Sequence, residues 1–562
     1  MTTPKDSLEI TEKRSFGLFL RIAWRVLYLV TTGRRVLFIG LFLLLFTTSA
    51  LSFFLTYAFS QVINGVFVLT SFHLQSISQI LIELLRSPTL LFWICAWALL
   101  PIVSSFLDRL YGYFDRIFLV QVDNLSDILI VRQQARLDVA SFEDPVRQNL
   151  LSRAQRGMDR LVGFATRTVY ISQSFVYLAL AIGALGLYYW WIALVVLVAS
   201  VPELIARFHL GGNIFKIWGR NLHDFRLHKE LSSYFGMASR IAEMRIFQNI
   251  DYLADRACAI VQRISHQQIA VERKNFGYSV GLGMFGDVVH VFVVLFFITE
   301  GILGHINPGI LVFLVTAIVS LRTNARSVFG SIGQQYEDLL FVADALKFLD
   351  LEPIVSTVGG SFVLPEHRTP SIEFRDVSFS YPGKERETLA LERVSFSVLP
   401  GQRLAIVGVN GAGKTTLTRL LCGFYHPSRG SVLIDGVDLR TISLASWYRL
   451  LAVLFQDFSK FRLPVAEMVG LGDVTRVRSD REVIAALRLA VADFVVDTYP
   501  KGIEEWLGND FSGIEPSGGQ WQRLALARLF FRMKSCARVL ILDEPTSALD
   551  AQAEEDIFTT LE

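Results

Sequence analysis

The sequence predicts two fold classes in series: an α-helical membrane domain of six spans with long cytoplasmic helical extensions, then an α/β domain built around a phosphate-binding loop. Three observations carry this. Residues 36–345 are rich in Phe, Leu and Val, with runs long enough to cross a bilayer. Residues 402–421, QRLAIVGVNGAGKTTLTRLL, place a glycine-rich turn between an apolar run and a helix-like run. Residues 538–544, RVLILDE, form an apolar run that stops at two acids. At 562 residues the chain is too long for one ordinary domain, and its content of 52% hydrophobic against 19% charged residues averages two unlike halves. The net charge of +2 offers no nucleic-acid-binding surface.

The expected layout is a cytoplasmic segment over 1–35, membrane helices over 36–345, a linker over 346–370 and the α/β domain over 371–562. The first 35 residues carry seven Lys or Arg and lack a small-residue cleavage site, so no cleavable signal is expected. Cys95, Cys258, Cys422 and Cys536 show no metal-type pairing and read as small apolar filler. The spans fall at about 36–60, 89–108, 168–189, 190–210, 279–301 and 308–328. Tyr188, Tyr189, Trp190 and Trp191 separate the third from the fourth and suit a tight turn at the membrane–water interface. Lys and Arg crowd the N-terminal segment and the connections 109–167 and 207–274, whereas the first external segment carries only Arg86 and the 302–308 turn none. The positive-inside rule therefore puts both termini and both long connections in the cytoplasm, with the chain multi-pass in the cytoplasmic membrane.

Each long connection is helix-compatible and free of a Gly/Pro-rich linker. Two helices of about 27 residues joined by a short turn would reach about 40 Å below the bilayer, far enough to touch another domain. The turns are expected at Ser141–Gln148 and Ser233–Glu243; solvated hairpins are the alternative. Inside the spans, Glu203 and Arg207 lie four apart and suit an intrahelical pair. Asp287 and His290 lie three apart on one face, which allows either a structural role or a substrate or proton pathway.

In the second half, LAIVG reads as a buried strand and TTLTRLL as a helix start. Gly408, Gly413, Lys414 and Thr415 between them fit G-x-x-x-x-G-K-[ST], the loop of a P-loop NTPase. Its glycines let backbone N–H groups curl around phosphates at a helix N-terminus. Lys414 would reach the β- and γ-phosphates, and the Thr415 hydroxyl would hold Mg²⁺. Asp543, at the end of the RVLILDE strand, would hold the same ion, and Glu544 is placed to polarise the attacking water. The pair implies hydrolysis of ATP as well as binding.

Residues 513–528, GIEPSGGQWQRLALAR, add an anion site with no lysine of its own. Ser517 and the amides of Gly518 and Gly519 open a helix, a half-site that suits the exposed γ-phosphate of a nucleotide held by a second copy.

Together these motifs resemble the ATP-binding-cassette family, in particular its exporters with six spans fused ahead of the nucleotide domain. The resemblance covers nearly the whole chain. It implies that the loop Gly408–Thr416, with Asn410, Gly411 and Thr416 among its nucleotide-binding residues, faces the signature motif Ser517-Gly518-Gly519-Gln520 of an opposing subunit. Tyr381, in FSYPG, matches the aromatic that stacks on adenine. Gln456, in VLFQDF, matches the glutamine between the metal site and the membrane arms, which puts it among both the catalytic and the Mg²⁺-holding residues. Ser547-Ala548-Leu549-Asp550 matches the loop joining the two ATP sites. SGGQWQRLALAR after LGNDFSGIE, and LDVASFEDP in the first arm, are similar to peptide and lantibiotic exporters without a protease domain.

Two departures stand out. The family usually has Leu where this chain has Pro516, and it carries a γ-phosphate-contacting histidine downstream of the glutamate, whereas no His follows His426 and the sequence stops at Glu562. A truncated reading frame is the simpler account, loss of the contact the other. The resemblance implies an ATP-driven exporter working by alternating access, with ATP and Mg²⁺, a second copy or related half-transporter, the lipid bilayer and a transported substrate as partners. The alternative is a nonhydrolytic subunit that completes a neighbour's site. A soluble cassette protein is excluded by the six spans, and an importer is disfavoured because importer permeases are mostly separate chains. No compact motif names the cargo, which leaves peptide, lipid and amphipathic small molecule.

Overall fold

The computed structural model describes residues 16–70, 85–355, 360–381, 389–546, 549 and 551–561. Its contacts divide the chain into two units, Met1–Ala135 with Asn149–Leu351, and Arg136–Gln148 with Glu352–Glu562.

The first unit is helical. Among the described residues five helices are long and apolar enough to cross a membrane, namely Arg35–Leu69, Pro88–Arg136, Pro145–Pro202, Ile250–Ile302 and Pro308–Leu349. The helical trace Pro145–Arg220 is broken at Tyr189 (φ −145°, ψ 75°), inside the aromatic cluster expected to turn, so it holds two apolar stretches. The Tyr189 ring packs edge-on against Phe296 and Phe297, and its hydroxyl donates to Glu300 at 3.1 Å. A further helix, Phe16–Thr31, precedes the first span, and its Arg25 grips Asp350 with both guanidinium nitrogens at 2.5–2.6 Å.

The helices starting at Pro145 and Pro308 pack closely because Gly157 has no side chain: a Cβ there would lie 2.3 Å from the Phe341 carbonyl oxygen. Fully buried Asp338 accepts from Arg160 and Arg167 at 3.0 Å each, and Gln335 donates to the Thr168 hydroxyl at 2.8 Å. A buried carboxylate is tolerated only when paired in this way. Deeper in the span, Asp287 pairs with Arg322 and Arg326 of the last helix, partners that sequence spacing did not suggest. His290 has its Nδ1 buried without a hydrogen-bond partner. The side chains of Glu203 and Arg207 lie outside the described residues.

Among the described residues the second unit has two sheets. Strands β1 (Ile372–Phe379), β2 (Leu391–Val398), β3 (Arg429–Ile434) and β4 (Val437–Asp438) form an antiparallel sheet in the order β2-β1-β3-β4. Strands β5 (Leu451–Leu454) and β6 (Val539–Leu542) pair in parallel, with Leu454 opposite Leu542. One core, around Phe374, Leu420 and Trp447, lies under the antiparallel sheet; a second, around Met468, Leu487 and Trp521, gathers the helices Val465–Gly470, Asp480–Leu489 and Gly518–Met533.

The expected buried strand LAIVG is a correction. Residues 402–409 form no strand, and 401–410 are all exposed, Val407 at 93%. An apolar strand of this kind needs partners and a covered face, and among the described residues the parallel sheet has two strands, neither paired with this segment. The first turn is also shifted. A short helix, Val139–Glu143, precedes Asp144, and the next helix starts at Pro145 instead of after Gln148. Proline is pre-set for a first helical position, and Asp144 caps the turn by accepting from the Val146 amide at 2.9 Å. The second turn is built on the helix Ala238–Ile246, which runs past the expected end at Glu243.

Residues 136–148 pack within the second unit. Ala140 joins its sheet core, and the Asp138 carboxylate accepts from the Ile354 and Val355 amides at 3.2 and 2.7 Å. Glu143 receives Arg419 at 3.1 Å and the hydroxyl of Tyr425. Chain beyond the last membrane helix also belongs here: Phe362 bonds Thr441 and Ser443 through its backbone, and Gly360 lies where a Cβ would meet the Ile442 carbonyl at 2.0 Å.

Candidate active site

Parallel pairing of β5 and β6 brings their carboxyl ends side by side, where open α/β sheets place their ligand crevice. Asp543 follows β6 directly and its amide donates to the Leu454 carbonyl at 2.9 Å. Gln456 lies two residues beyond β5. Opposite them the helix Lys414–Leu421 starts from Gly413, whose φ of 92° is open to glycine alone and whose missing Cβ would lie 2.8 Å from the Ala390 carbonyl oxygen. Gly411 is also left-handed, at φ 83°. Ten of the sequence-predicted residues thus meet in one cavity of about 590 Å³, lined by Tyr381, Asn410, Gly411, Gly413, Lys414, Thr415, Thr416, Gln456, Asp543 and Glu544, a size fit for a nucleotide, whereas the predicted Gly408 is not part of the lining.

Three contacts define its chemistry. The Thr415 hydroxyl donates to Asp543 at 3.2 Å, bringing two hard oxygen donors together. Gln456 donates through Nε2 to the Glu544 carboxylate at 2.7 Å. The Lys414 ammonium folds back onto the carbonyls of Gly408 and Val409, at 2.8 and 3.3 Å, and so stands at the mouth of the loop. Glu544 has a left-handed backbone, φ 51°, which is uncommon for a residue with a side chain. The Tyr381 hydroxyl meets that of Thr416 at 3.1 Å, and its ring stands edge-on to Phe379 and Tyr425, 5.0 and 5.4 Å away, with the Arg419 guanidinium 5.9 Å from its centre. Behind the loop helix, burial pushes the Cys422 thiol up to about 12, which leaves it inert filler as its isolation in the sequence suggested.

The SGGQ run lies outside this cavity. Ser517 is the N-cap of the helix Gly518–Met533, its hydroxyl accepting from the Gln520 amide at 3.3 Å while the Gln520 side chain takes the Ser517 amide at 2.9 Å. This is a capping box, and S-x-x-Q ahead of an apolar helix was its signal. Pro516 stands before the cap, where a missing N–H costs little. Ser547, Ala548 and Asp550 lie outside the described residues. Sequence reasoning missed Glu143, Arg419, Tyr425 and Gln522; the last donates to the Glu544 backbone carbonyl at 3.3 Å.

Membrane-length helices ahead of this cavity and loop give the chain the build of an ATP-binding-cassette exporter with a fused transmembrane domain, a class that binds ATP and couples its hydrolysis to transport. Residues 391–547 match the family model for the ABC transporter. The subtilin transport ATP-binding protein SpaT of Bacillus subtilis is 27% identical over 528 residues, 92% of this chain and 84% of that protein. The nisin transport ATP-binding protein NisT of Lactococcus lactis is 25% identical over 83% of this chain and 77% of its own length. An ATP-dependent lipid A-core flippase of Aromatoleum aromaticum is 29% identical over 84% and 76%. In fold, the chain matches a bacterial Atm1-family ABC exporter with ATP bound, with a TM-score of 0.74 over 94% of this chain and 88% of the other at 21% identity.

Proposed function

We propose that two copies of this chain, or one copy and a related half-transporter, export a peptide across the cytoplasmic membrane by alternating access. The observation that carries the reading is the pair of contacts Thr415–Asp543 and Gln456–Glu544 in one cavity at the ends of two parallel strands. Peptide is favoured over lipid or another amphipathic molecule because SpaT and NisT, named for subtilin and nisin transport, align over most of this chain.

In this reading Tyr381 stacks on adenine, and the backbone of Gly408, Asn410, Gly411, Gly413 and Thr416 holds the phosphates with Lys414. Glu544 orients the attacking water and accepts its proton, and Gln456 fixes the carboxylate that does so. Thr415, Asp543 and Gln456 would hold Mg²⁺; their hydroxyl, carboxylate and amide oxygens are the hard donors that ion prefers. Bound there, Mg²⁺ supplies neutralisation of phosphate charge. Ser517, Gly518, Gly519 and Gln520 serve the nucleotide of the partner copy. ATP bound more tightly by the closed pair than by the open one moves the membrane helices through turns such as 136–148. The proposed division is membrane helices over 36–345 and nucleotide domain over 371–562, joined through 346–370.

A nonhydrolytic subunit of an unequal pair is the second reading. Pro516 before the signature motif favours it, and Glu544 with its Gln456 partner opposes it. Inside-out vesicles carrying the chain test both readings: ATP-dependent accumulation of an amphipathic peptide that Glu544→Gln abolishes supports export, whereas turnover that starts only when a second cassette protein is added supports the unequal pair.

A further inference from the structure

The strained backbone of Glu544 needs an explanation beyond the cavity. A glutamate at φ 51° persists only where its surroundings hold it there. Gln456 restrains the carboxylate from the cavity side, at 2.7 Å, but leaves the backbone free. The backbone is held from the other side. Gln522, 2% exposed, donates its Nε2–H to the Glu544 carbonyl oxygen at 3.3 Å. Gln522 is five residues past Ser517 on the helix Gly518–Met533, whose position is set by Trp521, Leu524, Leu526 and Phe531 in the core and whose first turn is locked by the capping box.

We propose that Gln522 is a positioning residue for hydrolysis: it fixes the Glu544 peptide so that the carboxylate points into the cavity toward the attacking water. The inference rests on the role given to Glu544 above. One consequence follows from the helix that carries it. Ser517–Gln520 opens the helix and serves the partner's nucleotide in that reading, while Gln522, a little over one turn later, holds the glutamate of this chain's own cavity. A shift of the helix start on nucleotide closure is therefore passed directly to the water-orienting carboxylate of the other site. Gln522 does not line the cavity, so its effect on hydrolysis is passed through the Glu544 peptide.

The test is a cycle of substitutions in the full chain in lipid. Gln522→Met keeps the side-chain length and removes the donor; Gln522→Glu keeps the shape and puts an acceptor against the carbonyl. Both are made in the native chain and beside Glu544→Gln. Loss of this buried donor is expected to lower kcat roughly tenfold. ATP affinity should stay within about twofold, since only the hydrolytic step uses the carboxylate. Beside Glu544→Gln, the same changes should add nothing to the slow residual turnover. Native turnover in Gln522→Met, or an equal loss in both backgrounds, overturns the inference and leaves the reading of Glu544 standing. Native turnover in Glu544→Gln itself overturns both. If Gln522→Met does not fold, Gln522→Glu is read by the same criteria.

Discussion

Glu544 and Lys414 carry the proposed chemistry at the scale of single residues, and each makes a separable prediction. Glu544→Gln keeps the size and the Gln456 contact but cannot accept a proton, so kcat should fall by about 10²–10⁴-fold with ATP binding retained. Lys414→Ala removes the cation at the loop mouth, so nucleotide affinity itself should fall, by roughly tenfold or more, in a direct binding assay. These residues were legible in the sequence because each sits in a short local pattern: the glycine-rich loop fixes Lys414 and Thr415, and a run of apolar residues ending in acids fixes Asp543 and Glu544. Gln522 and Arg419 were not legible. Their partners, the Glu544 carbonyl and Glu143, come from distant chain, and no local spacing announces such a meeting.

Packing of whole elements depends on a few irreplaceable contacts. Gly157→Val forces the helices starting at Pro145 and Pro308 apart at the Phe341 carbonyl and should cost about 1–3 kcal/mol, read as a lowered Tm in detergent. In the second unit, burial pushes the Asp473 carboxyl up, but hydrogen bonds from Thr475, Ser535 and Arg476 outweigh it and hold the group at about 2. A carboxyl lowered on folding stabilises the fold above its unfolded pKa, and that stability is lost as pH falls through the folded one. Asp473→Asn should therefore destabilise by about 2 kcal/mol at pH 7, with the gap to the native chain closing between about pH 4 and pH 2. The long helices were legible from apolar run length, and the break at Tyr189 from its aromatic neighbours. The strand expected at LAIVG was not correctly legible, because composition reports apolarity but not whether a paired neighbour exists to cover it. The first turn was placed late because Pro145 was read as part of the turn, when it opens the next helix.

For the whole molecule, the question is how ATP chemistry reaches the membrane helices. Residues 137–148 follow the helix Pro88–Arg136 in the chain and belong to the nucleotide unit, where Glu143 is bound to Arg419 and to Tyr425, beside the Tyr381 ring. Glu143→Ala should therefore weaken the coupling of hydrolysis to transport: peptide accumulated per ATP hydrolysed in vesicles should fall, while turnover without peptide changes less than threefold, roughly the size of an exposed ion pair. The most direct test of the account is ATP turnover by the purified chain in lipid, measured beside Glu544→Gln. The account predicts steady hydrolysis by the chain on its own and its loss in Glu544→Gln. Hydrolysis that survives in Glu544→Gln would contradict it.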